Sequence, residues 1–237
     1  ALSTPLSGGR QMALNPEMSA LKSVFENKRA SVLMNIGPLL VPTSLAQYNN
    51  KSVPLPPKLF SHNDQQAYWQ SSYQAEGAAT GWGGRAADLL MSGNSRSALT
   101  CISVNGNALF LSGQNAISYQ MSTSGATTVN AIRSKSLFGS ATCANALQTL
   151  ITQSSAIPMA NDYSTVTKRA LDTYDGIFSA IGTTASTTVN SLFPTSATNS
   201  LSAQLKMVAR LIEQQSVLGI KRQVFMVGMG GFDLHDF

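Results

Sequence analysis

Charged side chains are scarce in this sequence of 237 residues. They make up 11% of the chain, where about 25% is typical of soluble domains. Serine, threonine, asparagine and glutamine must therefore supply most of the polar surface. Such a surface is typical of an extracellular protein, or of one buried in a larger assembly, and it does not suit a strongly solvated cytosolic monomer.

Basic clusters are missing too, although the formal net charge is +5. Lysines and arginines are scattered and do not alternate with aromatic residues, so we expect no nucleic-acid partner. No apolar run reaches the roughly 18 residues of a membrane-spanning helix, so no transmembrane segment is expected. The chain begins at Ala1 without resembling an initiation site, and Phe237 follows no helix or cap. We therefore expect an internal fragment of a longer protein.

Cysteine is rare, and the two present, Cys101 and Cys143, lack the CxxC spacing of a zinc site. In an oxidising compartment they could form a disulfide that closes a loop of about 40 residues. The alternative is two buried thiols, and the exported character of the composition favours the disulfide. The glycine patterns of P-loops and dinucleotide-binding loops are also absent.

Apolar patterns predict helices that alternate with buried strands, as in an α/β fold. Two apolar runs predict buried parallel strands, at residues 31–37 and 223–229. Residues 100–104 and 108–111 predict two short strands around a hairpin-type turn at Asn105-Gly106.

Helices are predicted after a cap at Asn15, at residues 65–73, 86–91, 144–151 and 162–181, and after a cap at Ser200. The last of these has an apolar stripe and ends at Gly219. The stripe consists of Leu201, Leu205, Val208 and Ile212. Residues 183–190 stay ambiguous, because their β-branched side chains disfavour a helix and their neighbours do not.

Asp233 and His235 are the strongest candidates for a functional site. They follow the strand predicted at residues 223–229, and the carboxyl ends of parallel strands are where ligands bind. A carboxylate and an imidazole are ligands for Zn²⁺, Mn²⁺ or similar ions. The alternative interpretation is a turn aspartate beside a surface histidine.

Two further segments could contribute chemistry. Ser61 and His62 precede a predicted helix, and the first N–H groups of a helix attract anions. A hydroxyl at such a place could also become a nucleophile. The alternative is a serine that caps the helix and a histidine that supports it. Arg85 could bind an oxyanion. The alternative there is that Gly81-Trp82-Gly83-Gly84 forms a turn in which the tryptophan packs.

Five segments together resemble the DUF1501 family in order and spacing. They are residues 53–66 with Trp69, 80–90, 205–212, 218–225 and 230–236. The resemblance spans nearly the whole chain, more loosely between about 112 and 195.

The resemblance implies an alkaline phosphatase-like three-layer α/β sandwich with a mainly parallel central sheet, incomplete in this fragment. We expect residues 1–111 to form the N-terminal part of the core and residues 112–198 to be a helical Ala/Ser/Thr-rich insertion or cap. Residues 199–237 would return to the core as helix, strand and metal loop.

Proteins of that superfamily use divalent metals and a Ser/Thr-type nucleophile on phosphate or sulfate esters. By this resemblance Asp233 and His235 hold the metal (Zn, Mn or Ca), Ser61 and His62 are catalytic, and Arg85 binds substrate. Leu234 stands where the family usually has threonine. Members typically carry a twin-arginine export signal, which implies a periplasmic or secreted protein.

The expected function is therefore an exported metal-dependent hydrolase with a small anionic ester as substrate. The alternative is a non-catalytic secreted or cell-surface protein, as a homo-oligomer or in a larger extracellular assembly. A carbohydrate- or peptidoglycan-associated binding role also stays open.

Overall fold

The computed structural model describes residues 1–34, 36–72, 77–182, 186–193 and 199–232. The chain forms two compact units, Ala1–Leu39 and Leu40–Phe237. None of the helices in these ranges is long and apolar enough to cross a membrane.

The first unit contains helix α1, Ser19–Glu26, which follows a 3-10 turn at Pro16–Met18. The side chain of Asn15 accepts the N–H of Glu17 at 3.0 Å, which confirms the cap predicted there. The buried strand predicted at residues 31–37 is wrong for the described part of that segment, which has no regular structure. Leu33 is 77% exposed, because an apolar run becomes a buried strand only where neighbouring strands cover it.

The second unit is an α/β domain with a mixed sheet. Its helices are α2 Leu45–Asn49, α3 His62–Ser71, α4 Trp82–Leu90, α5 Asn130–Arg133, α6 Ala141–Thr152, α7 Pro158–Ile181, α8 Thr187–Leu192, α9 Ser200–Glu213 and α10 Gln215–Leu218. Its strands are β1 Cys101–Ser103, β2 Tyr119–Ser122, β3 Gly125–Ala126 and β4 Val224–Met226.

The strands lie in the order β3-β2-β1-β4. β1 is parallel to both β2 and β4, and it pairs Ile102 with Tyr119 on one side and with Phe225 on the other. β3 is antiparallel to β2. The strands predicted around residues 100–104 and 223–229 are therefore confirmed. The hairpin predicted around Asn105-Gly106 is wrong. Its second strand is instead a 3-10 turn, Leu109–Leu111, and the chain returns to the sheet only at β2.

Helical elements cover both faces of the sheet. Ile102 belongs to a core cluster with residues of α7, α9 and α10. Cys101, the preceding residue, belongs to a second cluster with Ala87 of α4 and with Leu111. Successive residues of a strand point to opposite faces, so a strand packed on both faces is buried throughout, as β1 is.

The fully buried residues of α9 are not those of the predicted apolar stripe, although Val208 of that stripe is partly buried and packs against the core. Leu205 and Ile212 are 42% and 50% exposed. The buried side chains are Gln204, Met207, Arg210 and Leu211. The buried face is thus turned about the helix axis, because Gln204 and Arg210 bond to backbone groups that the sequence pattern does not reveal.

Several element boundaries also differ from expectation. α3 and α4 begin at His62 and Trp82, earlier than predicted, and Asn199 caps α9 in place of Ser200. The single helix predicted to end at Gly219 is divided at Gln214 into α9 and α10. Its predicted end is confirmed, because Gly219 terminates α10 at a φ of +68°. The segment expected as an insertion, residues 112–198, contributes β2 and β3 to the sheet.

The side chain of Asn94 joins the chain before β1 to the chain before β4. Its Nδ2 donates to Oγ1 of Thr100 at 2.9 Å and to the carbonyl of Arg222 at 2.7 Å. Its Oδ1 accepts the N–H groups of Lys221 and Arg222. All four bonding positions of this buried amide are used, so the two parallel strands start from a fixed register.

Candidate functional site

Ser61 lies immediately before α3, and its hydroxyl donates a hydrogen bond of 2.5 Å to Oδ2 of Asp64. The other carboxylate oxygen of Asp64 lies 3.9 Å from Nζ of Lys58. The Ser61 side chain accepts no capping bond from the helix, so the structure does not have the capping serine considered as an alternative. A carboxylate that accepts a serine proton is the arrangement needed to activate a nucleophile.

Asp64 is not among the candidate site residues that the sequence predicts. Its signal was present, because an acidic residue three positions after a serine at a helix start commonly reaches back to that start. His62 is the first residue of α3 and is exposed. The start of α3 thus presents a hydroxyl, a carboxylate and an imidazole within four consecutive residues.

Arg85 lies at the other end of α3. Its guanidinium donates to the carbonyl of Ser71 at 2.8 Å and to the carbonyl and hydroxyl of Thr80 at 3.2 and 3.3 Å. Ser71 is the last residue of α3, and a helix of ten residues is about 15 Å long. The structure therefore does not bring Arg85 together with Ser61, and it uses this arginine to hold the end of one helix to the start of the next.

The glycines around Trp82 allow the close approach of α4 to residues 109–113. A Cβ on Gly81 would meet the backbone of Leu109 and Phe110, and one on Gly84 would meet the backbone of Ser112 and Gly113. The Trp82 ring packs edge-on against Phe110, with ring centroids 4.5 Å apart. The predicted packing role of Trp82 is confirmed. The turn predicted at these glycines is wrong, because Gly83 and Gly84 lie inside α4.

Asp88 of α4 binds the backbone of the loop that leads to β2. Its carboxylate accepts the N–H groups of Gln114, Asn115 and Ala116 at 2.8, 2.9 and 2.7 Å. Burial works to raise the pKa of Asp88, but these three hydrogen bonds outweigh it, and the pKa lies below its ordinary value. The segment of residues 80–90 is thus a packing unit on one face of the sheet.

The loops after β1 and β4 meet at the carboxyl ends of these parallel strands. Nδ2 of Asn105 occupies the space that a Cβ on Gly228 would fill. The side chain of Gln204 donates to the carbonyl of Gly228 at 2.9 Å and accepts its N–H at 2.8 Å. The chain after β4 is therefore held in place two residues before Gly230, at the edge of the sheet where ligands bind in such folds.

Asp233 and His235 lie outside the described residues, which end at Phe232. Gly230 and Gly231 follow β4 without regular structure, and Gly231 has a φ of +86°, which glycine adopts readily. Within the described ranges no group of three or more His, Cys, Asp and Glu side chains is arranged to hold a metal ion. A carboxylate and an imidazole nevertheless form a donor set suited to Zn²⁺ or Mn²⁺.

Both cysteines are free thiols in the structure, where the sequence favoured a disulfide. Cys101 is buried in β1, and Cys143 is exposed on α6. Burial, reinforced by the negative charge of Asp88, raises the pKa of the Cys101 thiol to about 11. Cys101 therefore stays a neutral core residue at physiological pH.

Comparison of the chain with models of protein families, with curated proteins and with solved structures gives no match.

Proposed function

We propose that the protein is a metal-dependent hydrolase of phosphate or sulfate esters with an alkaline phosphatase-like fold. The observation that carries the proposal is the course of the chain after β4. That strand is parallel to β1, its carboxyl end is held by Gln204, and two glycines then lead to Asp233 and His235. Ligands of open parallel sheets bind at this edge.

Asp233 and His235 would hold the divalent metal through a carboxylate oxygen and an imidazole nitrogen. When bound, such an ion would polarise the ester oxygen and neutralise charge that develops during the reaction. Gly230 and Gly231 carry no side chains, so they allow the backbone to curve closely around the ion.

Ser61 would be the nucleophile, and Asp64 its base. As the Ser61 oxygen forms a bond to phosphorus or sulfur, its proton passes to the carboxylate that already accepts it at 2.5 Å. The bond from phosphorus or sulfur to the ester oxygen breaks, and His62 protonates the departing alkoxide. Water then attacks the seryl ester and gives one proton to His62, while the proton held by Asp64 returns to the Ser61 oxygen as phosphate or sulfate leaves.

Export to the periplasm or outside the cell is part of the same proposal. It rests on the family resemblance and on the low charged fraction of 11%. A fusion of the complete protein to a reporter that is active only outside the cytoplasm tests it, and reporter activity confined to the cytoplasm would oppose it.

The experiment for the enzymatic proposal is hydrolysis of aryl phosphate and aryl sulfate esters by the native protein and by Ser61→Ala. We expect the variant to lose at least about 100-fold in kcat, the scale found for groups that take part directly in the reaction. The matched control is Ser112→Ala, which removes a hydroxyl elsewhere in the domain. Equal activity of native protein and Ser61→Ala, in protein with bound metal, would refute the role of Ser61.

A non-catalytic role in an extracellular assembly is the second candidate. It is favoured by an apolar stripe on α7, where Met159, Tyr163 and Val166 are 84%, 63% and 53% exposed, at positions that share one helix face. Analytical ultracentrifugation tests it by comparing the native protein with Met159→Ser/Val166→Ser. Concentration-dependent association that the variant loses would support this role, and a monomer at all concentrations would oppose it.

A further inference from the structure

An open groove lies on the side of the sheet from which β1 begins. It is bounded by residues 95–99, which precede β1, by the end of α6 and by one face of α7, and its volume is about 700 Å³. The Asp233 segment follows the opposite, carboxyl ends of the parallel strands. The groove is therefore a separate feature, and the inference drawn from it does not rest on the proposed hydrolase activity.

The charged lining of the groove is mostly cationic. Arg96, Lys168 and Arg169 line it together with a single carboxylate, that of Asp172. Lys168 and Asp172 form an ion pair of 3.1 Å, which leaves the two guanidinium groups in excess. Within the described residues, neither Arg96 nor Arg169 makes a side-chain hydrogen bond or an ion pair.

Arg96, an exposed residue of the groove lining, packs its side chain against α7. Its guanidinium lies directly against Gly176, where a Cβ would collide with Nη1. Gly176 and Arg169 are seven residues apart and share one face of α7. The absence of a side chain at Gly176 thus lets Arg96 approach the same helix face that carries Arg169.

Two hydroxyl groups in the groove lack partners in the described part of the chain. Ser164 and Thr173 are only 8% and 9% exposed, and both line the groove. Neither side chain makes a hydrogen bond to another described residue. Their hydroxyl oxygens are not among the fully buried atoms without a partner, so they are accessible from the groove. Both can therefore donate to an occupant that offers hydrogen-bond acceptors.

We propose that this groove binds a small tetrahedral oxyanion, phosphate or sulfate, either free or as the terminal group of a monoester. The planar guanidinium groups of Arg96 and Arg169 would each present a pair of N–H donors to its oxygens, a geometry that arginine offers and lysine does not. The hydroxyls of Ser164 and Thr173 would donate to the remaining oxygens. Lys168, which is paired with Asp172, contributes positive potential along the rim.

Titration calorimetry with sodium phosphate, sodium sulfate and glycerol 2-phosphate tests the proposal. The protein carries Asp233→Ala/His235→Ala and is treated with EDTA, so a metal centre cannot contribute to binding. We expect one anion to bind per chain and the affinity to fall about tenfold or more in Arg96→Gln/Arg169→Gln, since charge-assisted hydrogen bonds are lost. Binding of the inorganic ions alone identifies a free oxyanion as ligand, and tighter binding of glycerol 2-phosphate identifies a monoester.

Arg222→Gln is the control, because it removes one positive charge from an exposed arginine outside the groove, where the double variant removes two from within it. Its affinity for the anions should stay within about twofold of the parent protein. The proposal is overturned if the parent protein binds none of the three anions, or if Arg222→Gln weakens binding as much as the double variant does.

Gly176→Ala offers a test that removes no charge. The added methyl would displace the Arg96 guanidinium, while alanine is favoured over glycine inside a helix. We expect weaker phosphate binding together with an unchanged or higher unfolding temperature. Phosphate binding as tight as that of the parent protein would contradict the role assigned to Arg96.

Discussion

Gln204 and Gly228 are joined by two hydrogen bonds between one side-chain amide and one peptide unit. The nitrogen of Gln204 donates to the Gly228 carbonyl at 2.9 Å, and its oxygen accepts the Gly228 N–H at 2.8 Å. Gln204 of α9, which is only 6% exposed, therefore supplies the hydrogen bonds that a neighbouring strand would otherwise supply to the end of β4. It satisfies the backbone where pairing ends and fixes the start of the segment that leads to Asp233.

Replacement of Gln204 by alanine should destabilise the protein by about 1–3 kcal/mol, because the partly buried N–H and carbonyl of Gly228 both lose their partner. Urea unfolding measures the change. The control is Gln148→Ala on the exposed surface of α6, for which we expect a change within about 0.5 kcal/mol. Equal stability of the two variants would show that these bonds do not hold the end of β4.

Gly84→Ala should cost about 2–3 kcal/mol of stability, since the methyl would overlap the backbone of Ser112 and Gly113. Gly93→Ala is the control, because nothing lies within 4 Å of a Cβ at that position. Thermal unfolding of both variants measures the contrast. A Gly84→Ala protein as stable as Gly93→Ala would contradict the close packing of α4 on residues 109–113.

Asp88→Asn should destabilise the protein in a pH-dependent way. The folded-state pKa of Asp88 lies below its ordinary value of 3.8, so the carboxylate contributes stability that is present above that value and is lost as the pH falls through the folded-state pKa. We expect the free energy of unfolding of the native protein to exceed that of Asp88→Asn by about 1–2 kcal/mol near neutral pH. This difference should shrink under strongly acidic conditions.

Urea unfolding at a series of pH values measures this difference, with Asp162→Asn, an exposed carboxylate of α7, as control. The control should differ little from native protein at every pH. The three hydrogen bonds to the carboxylate predict that the stability difference between native protein and Asp88→Asn shrinks as the pH falls. A difference that grows instead would contradict them.

The two cysteines should react with a thiol reagent in separate steps. Cys143 is exposed and should react in the folded protein, whereas Cys101 is buried, with its pKa raised to about 11, and should react only after unfolding. Counting thiols before and after denaturation, without reductant, measures this. No reactive thiol even after denaturation would mean that the disulfide favoured by the sequence forms after all.

The sequence predicts those elements whose signals are local. The cap at Asn15, the strand around Ile102 and the end of α10 at Gly219 depend on neighbouring residues, and all three are confirmed. The strand expected at residues 31–37 depends on partners elsewhere in the chain, and a hydrophobic run does not indicate whether they are present.

The candidate site shows the same division between local and distant contacts. The bond between Ser61 and Asp64 spans three residues and was within reach of sequence reasoning. Other contacts depend on how α4 packs on the sheet. Arg85 joins Ser71 to Thr80 in this way, and Asp88 accepts hydrogen bonds from residues 114–116. A conspicuous motif such as residues 80–90 can therefore serve packing although it resembles a binding loop.

The central claim is a metal centre after β4, and elemental analysis of the complete purified protein tests it most directly. We predict stoichiometric zinc, manganese or calcium in the native protein and its loss in Asp233→Ala/His235→Ala. Arg222→Gln, which changes an exposed residue before β4, should keep its metal. Absence of metal from the native protein, or equal metal in the double variant, would contradict the hydrolase proposal and favour the assembly role.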